Sequence, residues 1–195
     1  MNGIPYILLI VFSAFTMNLT LQCALGIRGI AEDKTYNRFL TIIKLGIILF
    51  SIIFIWILFS KVISPLISGI FIYVLLFPVS YMIYEGLEYI IFQQILKKDP
   101  QEDSFISFPG GITAAAVFIC LNIAKDFLEA VLLSLGFTLG IFLVYLIIRE
   151  IRRRAALEAV PNFFRGKPLV IISMGLLSLI FSACSLMLLR MISVR

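Results

Sequence analysis

The residues best equipped for chemistry stand in two short stretches of an otherwise apolar chain. Positions 18–28 read Asn-Leu-Thr-Leu-Gln-Cys-Ala-Leu-Gly-Ile-Arg. Asn18 and Gln22 bring amides, Thr20 a hydroxyl, Cys23 a thiol, and Arg28 a guanidinium that cannot shed its charge. Polar groups at bilayer depth are costly unless they face protein or water, so these side chains mark a candidate ion or substrate path. The plainer reading is a polar helix face packed against neighbours, with Arg28 as an anchor at the interface. The second stretch, 84–98, sets Glu85 and Glu88 among Leu87, Ile90, Ile91, Ile95 and Leu96. Carboxylates three residues apart share a helix face and could accept protons or bind a cation. Here the plainer reading is a solvated helix end.

Other chemistry is scarce. There is no histidine, and Cys23, Cys120 and Cys184 all lie in apolar runs with no Cys-x-x-Cys pair. That argues against a self-contained thiolate and imidazole metal site. No nucleophile–base pair and no phosphate-cradling glycine loop is present, so the chain is expected to have no catalytic residues of its own.

These residues must be positioned by membrane helices. Of 195 residues 62% are hydrophobic and 14% charged, and the mean hydropathy is +1.11. A soluble domain carries about 25% charged residues, so that class is excluded. A bilayer core needs roughly 20 apolar residues per helix. The runs near 4–27, 39–60, 66–84, 105–124, 127–148 and 168–191 supply six spans in one membrane domain. The first run lacks a basic leader region and reads as a true span rather than a cleaved signal.

Details along the spans sharpen this expectation. Lys44, about one and a half turns into the second span, can snorkel to the near interface or take a buried ion partner. Residues 61–65 are expected to turn, and Pro78 to kink the third span. The fourth span opens Phe-Pro-Gly-Gly-Ile-Thr-Ala-Ala-Ala, which favours irregular backbone shielded by protein. Gly136 and Gly140 form a small-xxx-small helix-contact spacing in the fifth span. Gly175, Ser178, Ser182 and Ser185 fall along one face of the sixth, and 149–167 is the most basic loop.

The two spans of unusual composition, one and four, each begin a group of three. The expected fold is therefore all-α and polytopic. Its six transmembrane helices form a 3+3 inverted repeat, with repeat one at about 1–98 and repeat two at about 104–195. The net charge of +5 fits membrane orientation rather than nucleic-acid binding. Eleven lysines and arginines fall on one side of the six spans and four on the other, which puts both termini on the non-cytoplasmic side.

One further pattern is specific. Ile148-Arg149-Glu150 is followed by Val160-Pro161-Asn162-Phe163-Phe164-Arg165-Gly166, then an apolar run holding Gly175-Leu176-Leu177-Ser178-Leu179. This resembles the integral-membrane subunits shared by the Rnf and Nqr complexes, the RnfA, RnfE, NqrD and NqrE group. Asn18 with Leu25-Gly26-Ile27 resembles the group's first-span motif, and Pro109 with Ile112-Thr113 its fourth-span motif.

The resemblance implies a subunit of a redox-driven ion pump in the bacterial inner membrane. Its implied partners are the bilayer, a homologous and oppositely oriented subunit or a second copy of the chain, and other subunits of such a complex. It also implies a [2Fe–2S] cluster held by cysteines of the first and fourth spans. Here those two positions are Arg28 and Ala116, neither of which can ligate iron. Cys23 and Cys120 stand five and four residues away, a displacement of roughly 6–7.5 Å along a helix. The reading takes both as buried apolar residues and expects no cofactor in this chain, with cluster ligation by them as the alternative. The matching functional expectation is a cluster-free subunit of an Rnf/Nqr-type complex. A stand-alone small-solute or ion transporter on the same scaffold, or a purely structural subunit, is the other outcome.

Overall fold

The computed structural model describes residues 6–22, 38–63, 71–97, 109–157, 161, 163 and 166–193. Among these residues there is no strand; every element is helical. That follows from the composition, since in hydrocarbon a helix satisfies its own backbone polar groups.

The first apolar run is broken. Helix α1 covers Tyr6–Phe15 and α2 covers Leu19–Gln22, with a turn between them. Helix α3, Arg38–Leu58, winds on as a π-helical turn over Phe59–Ile63. The turn expected at 61–65 therefore does not begin at Lys61, and its remainder lies outside the described residues. Helix α4, Phe71–Tyr89, keeps Pro78 inside a continuous helix and widens into a π-helix over Ile90–Leu96. Lys97 ends it in a left-handed conformation (φ 50°), its N–H donating to the Phe92 carbonyl.

Helix α5 spans Pro109–Ile123. Its Pro-Gly-Gly is shielded by protein but not irregular. Pro109 takes the first helical position, where its missing N–H costs nothing. Helix α6, Phe127–Leu157, outruns the expected fifth span by nine residues. The first part of the basic loop is thus helical, helped by Glu150 pairing with Arg153 and Arg154 three and four residues on. Gly166 takes φ 87°, a conformation that favours glycine, just before α7 at Lys167–Ser193.

Four of these helices are long and apolar enough to cross a membrane, while the stretches Leu8–Gln22 and Pro109–Ile123 are apolar but shorter. Helices α3 and α6 form the centre, half of each apolar window being buried. In α4 and α7 the buried share is 22%, and large side chains such as Met82 and Leu179 face outward. The small-residue face expected on α7 is largely outward too, Ser185 alone among those four being buried. Helix α1 packs on α6 and α7, and α5 packs on α3 and α4.

Candidate functional site

Two polar sites are built into this bundle. The first lies at the break in the first apolar run. The Asn18 carboxamide oxygen accepts from the Thr20 and Leu21 N–H groups at 3.2 Å each, and its nitrogen donates to the Ala14 carbonyl at 3.1 Å. One buried side chain thus caps the start of α2 and ties it to the end of α1. Helix α6 comes close enough to allow this because it presents no side chain there. A Cβ on Gly140 would lie 2.7 Å from the Ala14 carbonyl and 3.0 Å from the Asn18 amide nitrogen. One on Gly136 would collide with Ser13 and sit 2.7 Å from the Ile10 carbonyl. The small-xxx-small spacing is therefore the seat of the broken helix. Gln22 is exposed and meets Asn18 through its backbone N–H.

The second site lies between α3 and α4. The Lys44 ammonium meets the Glu88 carboxylate at 2.7 Å, their side chains 6% and 8% exposed. Phe92, one turn after Glu88, places its ring centroid 5.2 Å from the ammonium. That adds a cation–π contact to the pair. The buried face of α4 advances in steps of four through Leu76, Ser80, Tyr84, Glu88 and Phe92. Lys44 therefore does not snorkel, and Glu88 is not at a solvated helix end. The face shared by Glu85 and Glu88 is split at the protein surface: Glu85 is exposed while Glu88 points inward. Nor is Glu88 joined to the Asn18 site, since α2 packs on α5, α6 and α7.

Helix α5 separates the two sites. Tyr81 of α4 lies over Gly110, where a Cβ would meet its ring at 2.6 Å. The Thr113 hydroxyl donates back to the Gly110 carbonyl at 2.8 Å. Ala116 is fully buried, and the Cys120 thiol lies 3.9 Å from the Ser134 hydroxyl of α6. Cys23 and Arg28 lie outside the described residues. Of the two ligand positions that the resemblance implies, the described one, Ala116, offers iron no donor. Ala116 offers a methyl group, the Cys120 thiol keeps company with a hydroxyl, and no three candidate ligands gather among the described residues. A cavity of about 330 Å³ opens elsewhere, between α3 and the basic end of α6, beside Tyr145, Arg149 and Arg153. The acidic group lining it, Glu150, is already paired.

Sequence reasoning weighed Lys44 and Glu88 separately and passed over Ser80 and Tyr84. The available signal was the four-residue step from Ser80 through Tyr84 to Glu88, facing a helix with a lysine inside it.

Comparison with known proteins gives partial matches of one kind. Over 57 residues the chain is 40% identical to the A-subunit of the ion-translocating oxidoreductase complex from Buchnera aphidicola subsp. Baizongia pistaciae, covering 29% of each. Over 67 residues it is 42% identical to the protein of that name from Aromatoleum aromaticum, covering 33% of this chain and 35% of that one. The counterpart from Pectobacterium atrosepticum is 34% identical over 65 residues. The chain spans about a third of the length of these curated relatives. No family model matches it. The matches bear out the resemblance to the Rnf and Nqr group. Together with the apolar helices they indicate a multi-pass protein of the bacterial inner membrane.

Proposed function

We propose that the chain is a membrane subunit of an Rnf/Nqr-type redox-driven, ion-translocating electron-transport complex, and that it carries no iron–sulfur cluster of its own. The observation that carries this reading is the similarity to the A-subunits of ion-translocating oxidoreductase complexes. The packing supports the finer claim of six spans in a 3+3 inverted repeat. Taking α1 with α2 as span one, it nests against the fifth and sixth spans, just as α5, the fourth span, nests against the second and third. The central pair α3 and α6 and the peripheral pair α4 and α7 match in burial. A pseudo-twofold relation between halves has this signature. The charge bias supports an orientation with both termini on the non-cytoplasmic side. A homologous subunit of opposite orientation, or a second copy, and further subunits of the complex complete the proposed assembly. Any catalysis belongs to that assembly.

A stand-alone small-solute or ion transporter is the second reading, favoured by Arg28 and Ala116 standing where the resemblance places iron ligands. Purification from native membranes separates the two. The complex reading expects flavin- or iron-bearing proteins to co-purify, with no [2Fe–2S] electron paramagnetic resonance signal from the chain alone. A lone chain or homodimer that moves a solute in liposomes without an electron donor establishes the transporter instead. A cluster signal lost on Cys23→Ser or Cys120→Ser overturns the cluster-free assignment.

A further inference from the structure

The cavity between α3 and the basic end of α6 belongs to neither buried polar site, and its walls are of two kinds. One face of α6 runs through Leu139, Phe142, Leu146, Arg149 and Arg153, in alternating steps of three and four. Residues so spaced lie along one side of a helix. All but Leu139 line the cavity. The face is apolar as far as Leu146 and basic from Arg149 onward. Buried Tyr145, stacked on Phe142 with ring centroids 6.5 Å apart, completes the α6 wall. Ile42 of α3 supplies the opposing one.

The basic part is open to an anion. Arg149 and Arg153 are both exposed, and Arg149 has no ion-pair partner among the described residues. The carboxylate of Glu150 makes its shorter contact with Arg154, at 3.2 Å, and stands 3.9 Å from Arg153. Exposed pairs of this kind are weak, so Arg153 is available to a better acceptor. A guanidinium offers a planar fork that matches two phosphate oxygens. The apolar part opens to hydrocarbon: Ile42, Leu139 and Leu146 are all exposed. Ile42 stands one turn inside the apolar window of α3, and Arg149 directly follows the last residue of the apolar run 127–148. The cavity therefore sits where hydrocarbon gives way to headgroups. From Leu139 to Arg149 the helix rises about 15 Å, which is the hydrocarbon depth of one leaflet.

We propose that this cavity binds the phosphate headgroup of an anionic membrane phospholipid, held by Arg149 and Arg153, with its acyl chains along Ile42, Leu146 and Leu139. Basic clefts between membrane helices suit such headgroups. The volume of about 330 Å³ is at the small end for ligand pockets, which fits a headgroup whose tails remain in the bilayer. A soluble anion uses the arginines and leaves the apolar wall to lipid. An acidic protein segment does the same. A phospholipid meets both walls at once, in the order in which they follow one another along α6. The inference requires only that the chain spans a membrane, and it stands or falls separately from the complex proposed above.

Two measurements on the full chain test this. The first is lipid binding by native mass spectrometry in a mild detergent. One basic residue near an anionic lipid favours it about fivefold, so two favour it about 30-fold. Phosphatidylglycerol is therefore expected to bind at least about tenfold tighter than phosphatidylcholine with the same acyl chains. Arg149→Gln combined with Arg153→Gln is expected to bring the two lipids within about twofold of each other. Lys125→Gln combined with Arg190→Gln removes the same charge just before α6 and at the far end of α7, and is expected to keep the preference. Equal affinity for the two lipids in the parent overturns the proposal, as does an unchanged preference in the Arg149 and Arg153 variant. Glycerophosphoglycerol, the headgroup without its chains, is expected to leave the bound lipid in place even in large excess. Full displacement by it overturns the lipid assignment in favour of a soluble phosphate compound. The second measurement leaves both arginines intact and uses nanodiscs of the two lipids mixed. Benzoylphenylalanine in place of Ile42 is expected to crosslink phosphatidylglycerol at least about fivefold above its share of the mixture. The same group in place of Met82, on the outward face of α4, is expected to report the share itself. Crosslinking at both positions in proportion to the mixture overturns the proposal even if the glutamine variants fail to fold. An adduct between position 42 and another protein in native membranes overturns it in favour of a protein occupant.

Discussion

Two groups of packed helices, first α5 on α3 and α4 and second α1 on α6 and α7, are arranged alike but furnished differently. In the second group α6 is the small partner: Gly136 and Gly140 let α1 settle on its backbone. In the first group α3 keeps its bulk, and α5 supplies the small residues instead, with Gly110, Gly111, Ala114 and Ala116 buried. Gly46 of α3 faces open space. The interfaces to the outer helices differ more. Helix α4 meets α3 with a buried ion pair and two buried hydroxyls. Helix α7 buries Val170, Met174, Phe181 and Ser185, none of them charged. The same layout can thus be reached by reversing which helix is small, and a charged device can be held by one half alone.

The largest effect should come from unbalancing the ion pair. Lys44→Met alone, or Glu88→Leu alone, leaves one buried charge without its ion-pair partner and should cost about 3–5 kcal/mol. The double variant removes both charges and should recover most of that stability. Unfolding of the three proteins in mild detergent measures this. Single variants as stable as the parent would mean that the pair is solvated, and the contrast between α4 and α7 would vanish.

Next comes the helix crossing. Gly136→Ala must push α1 off α6, because the obstacle includes the Ile10 carbonyl as well as the Ser13 side chain. Overpacking of this kind costs about 1–3 kcal/mol. Adding Ser13→Ala should recover only part of it, since the carbonyl remains. Full recovery would show that the hydroxyl, and not backbone proximity, sets the distance.

How much of this was legible beforehand depends on what each signal reports. Apolar runs gave the helices and nearly all their places, because hydrophobicity and length are local properties. The Gly136 and Gly140 spacing named a contact correctly, since small residues four apart mean close approach whatever the partner. Pro109-Gly110-Gly111 misled: glycine weakens a helix in isolation, but packing beneath Tyr81 holds one here. Glu88 misled more, because its sequence neighbourhood resembles an interface. Its burial depends on Lys44, forty-four residues earlier, and pairing at that range is a tertiary fact. Asn18 was singled out for chemistry, and its side chain also caps its own neighbours, a role the apolar pattern around it did not show.

That role sets the third expectation. Asn18→Ala removes the acceptor for two N–H groups and the donor to Ala14, and should cost about 0.5–2 kcal/mol as a lost cap. Asn18→Asp keeps the acceptor and loses the donor, so it should retain the cap but pay for a buried charge. If Asn18→Ala leaves stability unchanged while abolishing ion movement in the assembly, the amide serves the path and not the fold.

The smallest effect returns to the comparison of the central helices. Gly46 and Gly136 both lie inside long helices, and propensity alone says that alanine should improve either site by roughly 0.5–1 kcal/mol. At Gly46 a new methyl meets nothing within 4 Å, so propensity should win and the variant should be slightly more stable. At Gly136 the same methyl meets α1, and packing should outweigh propensity. The sign of the difference between the two alanine variants, read in one detergent, is the quantity to measure. Destabilisation at both sites would mean that the surroundings of Gly46 are not open, and the contrast between the two glycines would be lost.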